Sequence, residues 1–321
     1  MKSFAAVAAL TVAAVPIASA QTTYPTKPVR IVVGFSAGGP SDTVARLLAQ
    51  QLTERLGRNV IVENRPGATG TIGAELVAKA PPDGHTLYLA SQTTHAVAPY
   101  MYSNVGYDPV KDFATITLAM QNPLLGVVHP SLNVHSVQEL IAFARAHAGQ
   151  LNFATGGQGS SPHMSMELLK SMAKIDMVAV HYKGDGAAIP EVIGGQVPLM
   201  FASIAGWLPH AKSGRVRGIA VTSAKRSSIA PQYPTVAESG LPGFEVITWF
   251  GILTTAGTPP DVIARLNQEL VRALAAPAVK AQATTLGMEI VGNSAEQYAA
   301  FLKSENAKWG KMVKALKLRA N

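Results

Sequence analysis

Twice in this chain a strand-like run enters a glycine-rich turn and leaves it as a helix. The first turn is Gly34–Ser41 (GFSAGGPS), after Val29-Arg30-Ile31-Val32-Val33; the second is Gly156–Ser161 (GGQGSS), after residues 151–155. β-Branched runs bounded by proline and glycine read as buried strands, and apolar residues at spacings of three and four read as helices. Val44, Leu47, Leu48, Leu52 and Leu56 have that spacing, and Gly57 ends them. Further strands are read at 60–62, 85–90, 124–128, 177–182, 197–202, 216–222 and 245–250. Between them lie helices through Ala80, after the box Ser136-x-x-Glu139, and at 162–173 and 186–194. Two long helices finish the chain, one capped by Thr258 and one opening at Ser294-x-x-Gln297. Strands alternating with helices at this spacing specify an α/β protein with doubly wound parallel sheets.

At 321 residues the chain is long enough for two domains of about 150 residues each. The pattern restarts after Asn122-Pro123 and crosses back near Glu245–Thr248. This divides the chain into a discontinuous domain 1 (24–122 and 247–321) and domain 2 (123–246), joined by crossing strands that would serve as hinges. Residues 1–20 combine Lys2, an apolar stretch and the small-residue ending Ala18-Ser19-Ala20, which reads as an export signal cleaved after Ala20. With no cysteine there is no disulfide, thiolate or lipid anchor site. The net charge of +8 is spread without runs longer than Lys225-Arg226, which argues against a nucleic-acid groove.

Gly34-Phe35-Ser36-Ala37-Gly38 satisfies G-x-S-x-G on a strand-to-helix turn, so an exported serine hydrolase using Ser36 is the enzymatic alternative. Two features count against it. No earlier strand supplies an oxyanion-hole loop, and the last histidine, His210, comes too early for the order Ser…Asp/Glu…His. His129 and His135 lack metal-ligand spacing, and Gly67-x-x-Gly70-x-x-Gly73 is no dinucleotide fingerprint. No metal or cofactor is expected.

The two glycine turns themselves suggest an anion site. Glycines let a ligand approach the backbone, and unpaired N–H groups of a first helical turn attract negative charge. Both turns lie at carboxyl ends of strands, where open α/β sheets bind ligands. Ser160 and Ser161 would donate to ligand oxygens beside those N–H groups. Plain capping is the bland reading, with Ser41 and Ser161 as N-caps. Asp42 puts a negative charge in the same turn, to cap backbone N–H groups or to meet an amine or water.

Several motifs in order resemble one family. They are Tyr24-Pro-x-Lys-Pro-Val-Arg-Ile-Val-Val, Ala37-Gly-Gly-Pro-Ser-Asp, Glu63-Asn-Arg-Pro-Gly-Ala, Pro82-Asp-Gly-His-Thr-Leu and Tyr107-Asp-Pro-Val-Lys-Asp-Phe. Tyr182-Lys-Gly, Gly194-Gly-Gln-Val and Pro234-Thr-Val-Ala-Glu-Ser-Gly-Leu-Pro-Gly complete the set. It is similar to the extracytoplasmic solute receptors of tripartite tricarboxylate transporters, the Bug family. The resemblance implies a periplasmic-binding-protein clamshell, monomeric and periplasmic, that closes on a small carboxylate and delivers it to membrane permease subunits. A carboxylate receptor for a signalling system is the variant of that reading.

By the same resemblance, contacts come from Ser36 to Ser41 and from Gly157 to His163. The candidate ligand-binding residues are Phe35, Ser36, Ala37, Gly38, Gly39, Ser41 and Asp42 in the first turn. In the second turn they are Thr155, Gly157, Gly159, Ser160, Ser161 and His163. Around them stand Thr94 and His95 from the Gln92–His95 wall, Tyr182, Lys183, Ser203 and Trp249. Gly34, Ser36 and His181 stand where prolines are frequent in the family. Neither turn contains Arg or Lys, so neutral donors would do the binding, with Lys183 the nearest cation. Phe35, Tyr182, Trp249 and Phe250 either line the cleft or, for the last two, pack beside the crossing strand. Aromatic or aliphatic dicarboxylates are the first expected ligands, citrate-like acids the second, and amino acids the third.

Overall fold

The computed structural model describes residues 24–319, so the export signal read at 1–20 lies outside the described residues. In chain order the first elements are β1 (Val29–Val33), α1 (Pro40–Leu56), β2 (Val60–Asn64), a 3₁₀ turn (Ala68–Gly70), α2 (Thr71–Ala78) and β3 (Thr86–Ser91). A π-helical turn (Thr93–Val97) and α3 (Ala98–Met101) lead to β4 (Phe113–Val128). Next come α4 (Val137–Ala146), β5 (Asn152–Thr155), α5 (Ser161–Ala173), β6 (Val178–His181), α6 (Asp185–Ile193), β7 (Leu199–Ser203), α7 (Ile204–Lys212) and β8 (Arg217–Val221). The chain ends with β9 (Ile247–Thr255), α8 (Pro260–Leu274), α9 (Pro277–Thr285), β10 (Glu289–Ile290) and α10 (Ala295–Ala315).

β1 lies between parallel partners β2 and β3, which is why Ile31, Val32 and Val33 are fully buried. Proline opens α1, where its missing N–H costs nothing, and left-handed Gly57 closes it. In the second lobe β5 is parallel to both β6 and β7. The expected parallel winding therefore holds at both ends of the sheet but not at its centre. There β9 runs antiparallel to β3 and β4, and β4 antiparallel to β7 and β8.

β4 is longer than the strand read at 124–128. Its first part pairs with β9 from Phe113↔Thr255 to Pro123↔Ile247, and from Leu124 onward its partners are β7 and β8. Pro123 reads as a strand break because proline cannot donate to a ladder. It stands where the ladder changes partners. Thr258 does not cap α8: its hydroxyl donates to the Thr255 carbonyl, and Pro259 is the N-cap. Ser294 and Gln297 form a reciprocal capping box, as their spacing predicts.

One side chain ties α10 to the sheet. Glu305, almost wholly buried, accepts the indole N–H of Trp249 and that of Trp309 on the same Oε2, each at 2.9 Å. Lys308 pairs with the same carboxylate.

Candidate ligand-binding cleft

The two glycine turns lie at the carboxyl ends of β1 and β5, and the second turn reaches the end of β3, where Ser161 meets Gln92. In the first turn Ser36, Ala37 and Gly38 are exposed, while Phe35 packs part of its ring on the first-lobe core. Asp42 holds this turn from beneath. Its Oδ2 accepts from the Gly38 N–H and from Arg46 Nε, both at 2.9 Å, and its Oδ1 accepts from Asn64 at 3.0 Å. Asn64 also donates to the Phe35 carbonyl. The Arg46 hydrogen bond, reinforced by Gly38 and Asn64, lowers the Asp42 carboxyl to about 2 against its burial. Asp42 is thus a buried brace of the turn, with both carboxylate oxygens engaged within the protein.

The second turn is built the same way. His163 Nδ1 accepts from the Gly159 N–H at 3.1 Å, and Thr155 Oγ1 accepts from the Gly157 N–H at 3.2 Å and lies 2.8 Å from His181 Nδ1. The Ser160 hydroxyl caps α5, accepting from His163 N–H and donating to the Gly157 carbonyl at 2.7 Å. The Ser161 hydroxyl donates to Gln92 Oε1, tying this turn to the end of β3 in the other lobe. The N-caps are Gly39 and Ser160, rather than Ser41 and Ser161. Both serine hydroxyls of the second turn are therefore engaged within the protein. The open donors are backbone N–H groups. Among the described residues, no protein acceptor takes the N–H of Ala37, Gly39, Ser41, Gln158 or Ser161.

Gln92 completes this arrangement. Its side chain is 1 % exposed, its oxygen is held by Ser161, and its Nε2 has no acceptor among the described residues. A buried unpaired donor costs about 1–3 kcal/mol, which a ligand acceptor would recover. By sequence Gln92 belongs only to the wall, and nothing in its neighbours marks it as a donor.

A third segment closes beside the first turn. Ala68 and Thr69 adopt left-handed φ values of 43° and 56°. Such backbone is costly for non-glycine residues and collects at functional sites. Gly34 touches this segment so closely that a Cβ there would lie 2.5 Å from Tyr88 Oη and 2.7 Å from Gly70 Cα. Tyr88 donates to the Gly70 carbonyl at 2.9 Å. Gly34→Ala should therefore separate the two loops, costing about 1–3 kcal/mol of stability and most of the ligand affinity. Urea unfolding and calorimetric titration would check this, and unchanged values would contradict the contact.

Other predicted residues lie elsewhere. Trp249 does not line the cleft: it is fully buried, bonded to Glu305 and packed edge-on against Tyr298 and Phe301. Phe250 is buried in the first-lobe core. Thr94 and His95 are fully buried behind the wall. Thr94 pairs with Ser91 and its methyl fills the space over Gly70, while His95 sits among Tyr88, Tyr107 and Phe113. Ser203 joins the lobe crossing. In the orientation that satisfies the whole amide, it donates to the Asn122 oxygen at 3.1 Å, and the Asn122 NH₂ donates to the carbonyls of Pro123 and Gly287. Tyr182 is half-buried and Lys183 exposed, next to the second turn. Ser36 has no histidine within hydrogen-bond distance among the described residues, so the elbow motif has no base.

A groove of about 510 Å³ away from the two turns is walled by Phe113, Ile263, Asn267, Ser294 and Leu302. Its Asn267 is spent on the Ile116 and Asn293 carbonyls and its Ser294 on the cap of α10. The open backbone donors are in the two glycine turns.

The model of the tripartite tricarboxylate transporter family receptor matches residues 44–318. The chain belongs to that receptor family. The receptor is 35% identical over 295 residues to BugT of Bordetella pertussis, covering 91% of this chain and 90% of BugT. Among solved structures it resembles Rpa4515 of R. palustris with adipate, at 35% identity and a TM-score of 0.76, covering 91% of this chain and 97% of that one. It also resembles MatC from Rhodopseudomonas palustris with bound malate, at 33% identity and a TM-score of 0.74, covering 90% and 100%. The receptor's fold is thus a two-lobed α/β clamshell, and its family binds solutes rather than turning them over.

Proposed function

We propose that the receptor captures a small carboxylate in the periplasm and delivers it to the membrane permease of a tripartite transporter. One observation carries this reading: unpaired N–H groups at two helix starts, one from each lobe, beside the buried, unpaired Nε2 of Gln92. Neutral, fixed donors of this kind suit an anion without needing Arg or Lys. The two similar structures, one with adipate and one with bound malate, support aliphatic carboxylates ahead of aromatic ones. The placement of Trp249 agrees, because it leaves Phe35 and Tyr182 as the flanking aromatics.

In this reading residues 1–20 direct export and are cleaved after Ala20. The monomer closes about the crossings at Pro123 and Ile247, with lobes 24–122 plus 247–321 and 123–246. A thermal-shift panel tests it. A carboxylate at a hundred times its dissociation constant adds about 2.7 kcal/mol and raises the melting temperature by several degrees. A rise with neutral amides or sugars and none with carboxylates would reject the anion site.

A further inference from the structure

Asp185 opens α6 and lies directly over the second glycine turn. A Cβ on Gly156 would sit 2.1 Å from its Oδ1, so the carboxylate can lie there only because residue 156 is glycine. Backbone bonds hold the two segments together: Gly184 N–H donates to the Gly156 carbonyl at 3.2 Å, and Tyr182 N–H donates to the Thr155 carbonyl at 3.0 Å. The carboxylate is thereby placed beside the turn that carries the open N–H groups of Gln158 and Ser161.

Other acidic side chains at this level are partnered. Asp42 holds Gly38, Arg46 and Asn64, and Glu167 holds Lys170 at 2.9 Å. Asp185 has no hydrogen bond or ion pair among the described residues and does not cap its own helix. It also keeps part of its surface open to water, although burial pushes its carboxyl up to about 6. A carboxylate that is desolvated yet reachable stands on the wall of a cleft.

We propose that Asp185 is a specificity-determining residue that accepts a hydrogen bond from a donor group on the ligand. This rests on the carboxylate-receptor reading and narrows it. The preferred solute carries one carboxylate for the N–H groups and, near it, an ammonium, amide or hydroxyl for Asp185. A second carboxylate in that place would meet like charge.

The test uses matched probes that differ in one group: succinate, malate and aspartate, and adipate against 2-aminoadipate. Calorimetric titration of the wild type should show roughly 10–100-fold tighter binding of the donor-bearing member of each pair, the range of one bond to a charged group. D185N keeps the shape and removes the charge, and it should reduce that ratio about tenfold or more while improving succinate and adipate. G156A leaves the carboxylate in the chain but displaces it, and should also collapse the ratio. This variant decides the matter if D185N does not fold. Carboxylate binding with ratios unchanged in both variants overturns the role of Asp185 and leaves the receptor reading standing. Absence of binding by any carboxylate overturns both.

Discussion

Lowering the pH from 7 to 5 is expected to cost the ligand-free protein about 3 kcal/mol of stability. Two buried histidines cause the loss. Burial lowers His95 to about 3, and burial, then the charges of His181 and Lys170, lower His163 to about 4. Both rings are neutral in the folded state, while the unfolded chain takes up protons below pH 6.5. A histidine depressed in this way costs nothing above pH 6.5. Below it stability falls by about 1.4 kcal/mol per pH unit per ring, and the fall ends as pH passes the folded values near 4 and 3. The two rings together lose about 4 kcal/mol by pH 5. Asp185 acts in the opposite sense, since its raised carboxyl binds a proton in the folded state near pH 6, which returns about 1 kcal/mol. Urea unfolding at pH 7, 6 and 5 would show the slope, and His95→Gln should remove about half of the histidine contribution. Equal stability at pH 7 and 5 would mean that the rings are not held neutral.

Glu305→Ala should destabilise the first lobe by about 2–5 kcal/mol. The substitution leaves two buried indole N–H groups, of Trp249 and Trp309, without their shared acceptor, at about 1–3 kcal/mol each. Glu305→Gln retains an acceptor oxygen and loses only the charge toward Lys308, so it should cost much less. Thermal unfolding followed by tryptophan fluorescence would separate the two. A loss below about 1 kcal/mol in the alanine variant would show that the indoles find other partners.

The strands and most helices were legible because their signals are local. Val29–Val33 is β-branched throughout, α1 carries its own apolar stripe and stop, and α10 its own capping box. Elements whose signals conflict were missed. Pro123 masked the first two-thirds of β4, Pro209 lies inside α7, and α9 has little apolar patterning. At the site, the two glycine turns were legible as backbone, but the direction of each hydroxyl was not. Ser161 turns to Gln92, 69 residues away in sequence, and Trp249 is drawn inward by Glu305, 56 residues away. Asp42 read as an anomaly in an anion site because its three partners come from three different segments. Asp185 carried no sequence signal, since its placement depends on the absence of a side chain at Gly156.

The position of β9 sets the order in which this molecule can assemble. It occupies the middle of the sheet, between β3 and β4, yet comes after every other strand except the two-residue β10. Until residues 247–255 arrive, β3 has no neighbour on one side and the Phe113–Pro123 part of β4 has none opposite it. A nascent or truncated chain ending before β9 therefore presents two open apolar edges, a template for association with other chains. Pairing so distant in sequence also slows folding, because the intervening loop must be closed before any contact rewards it. The first lobe stays unfinished until the last quarter of the chain is present.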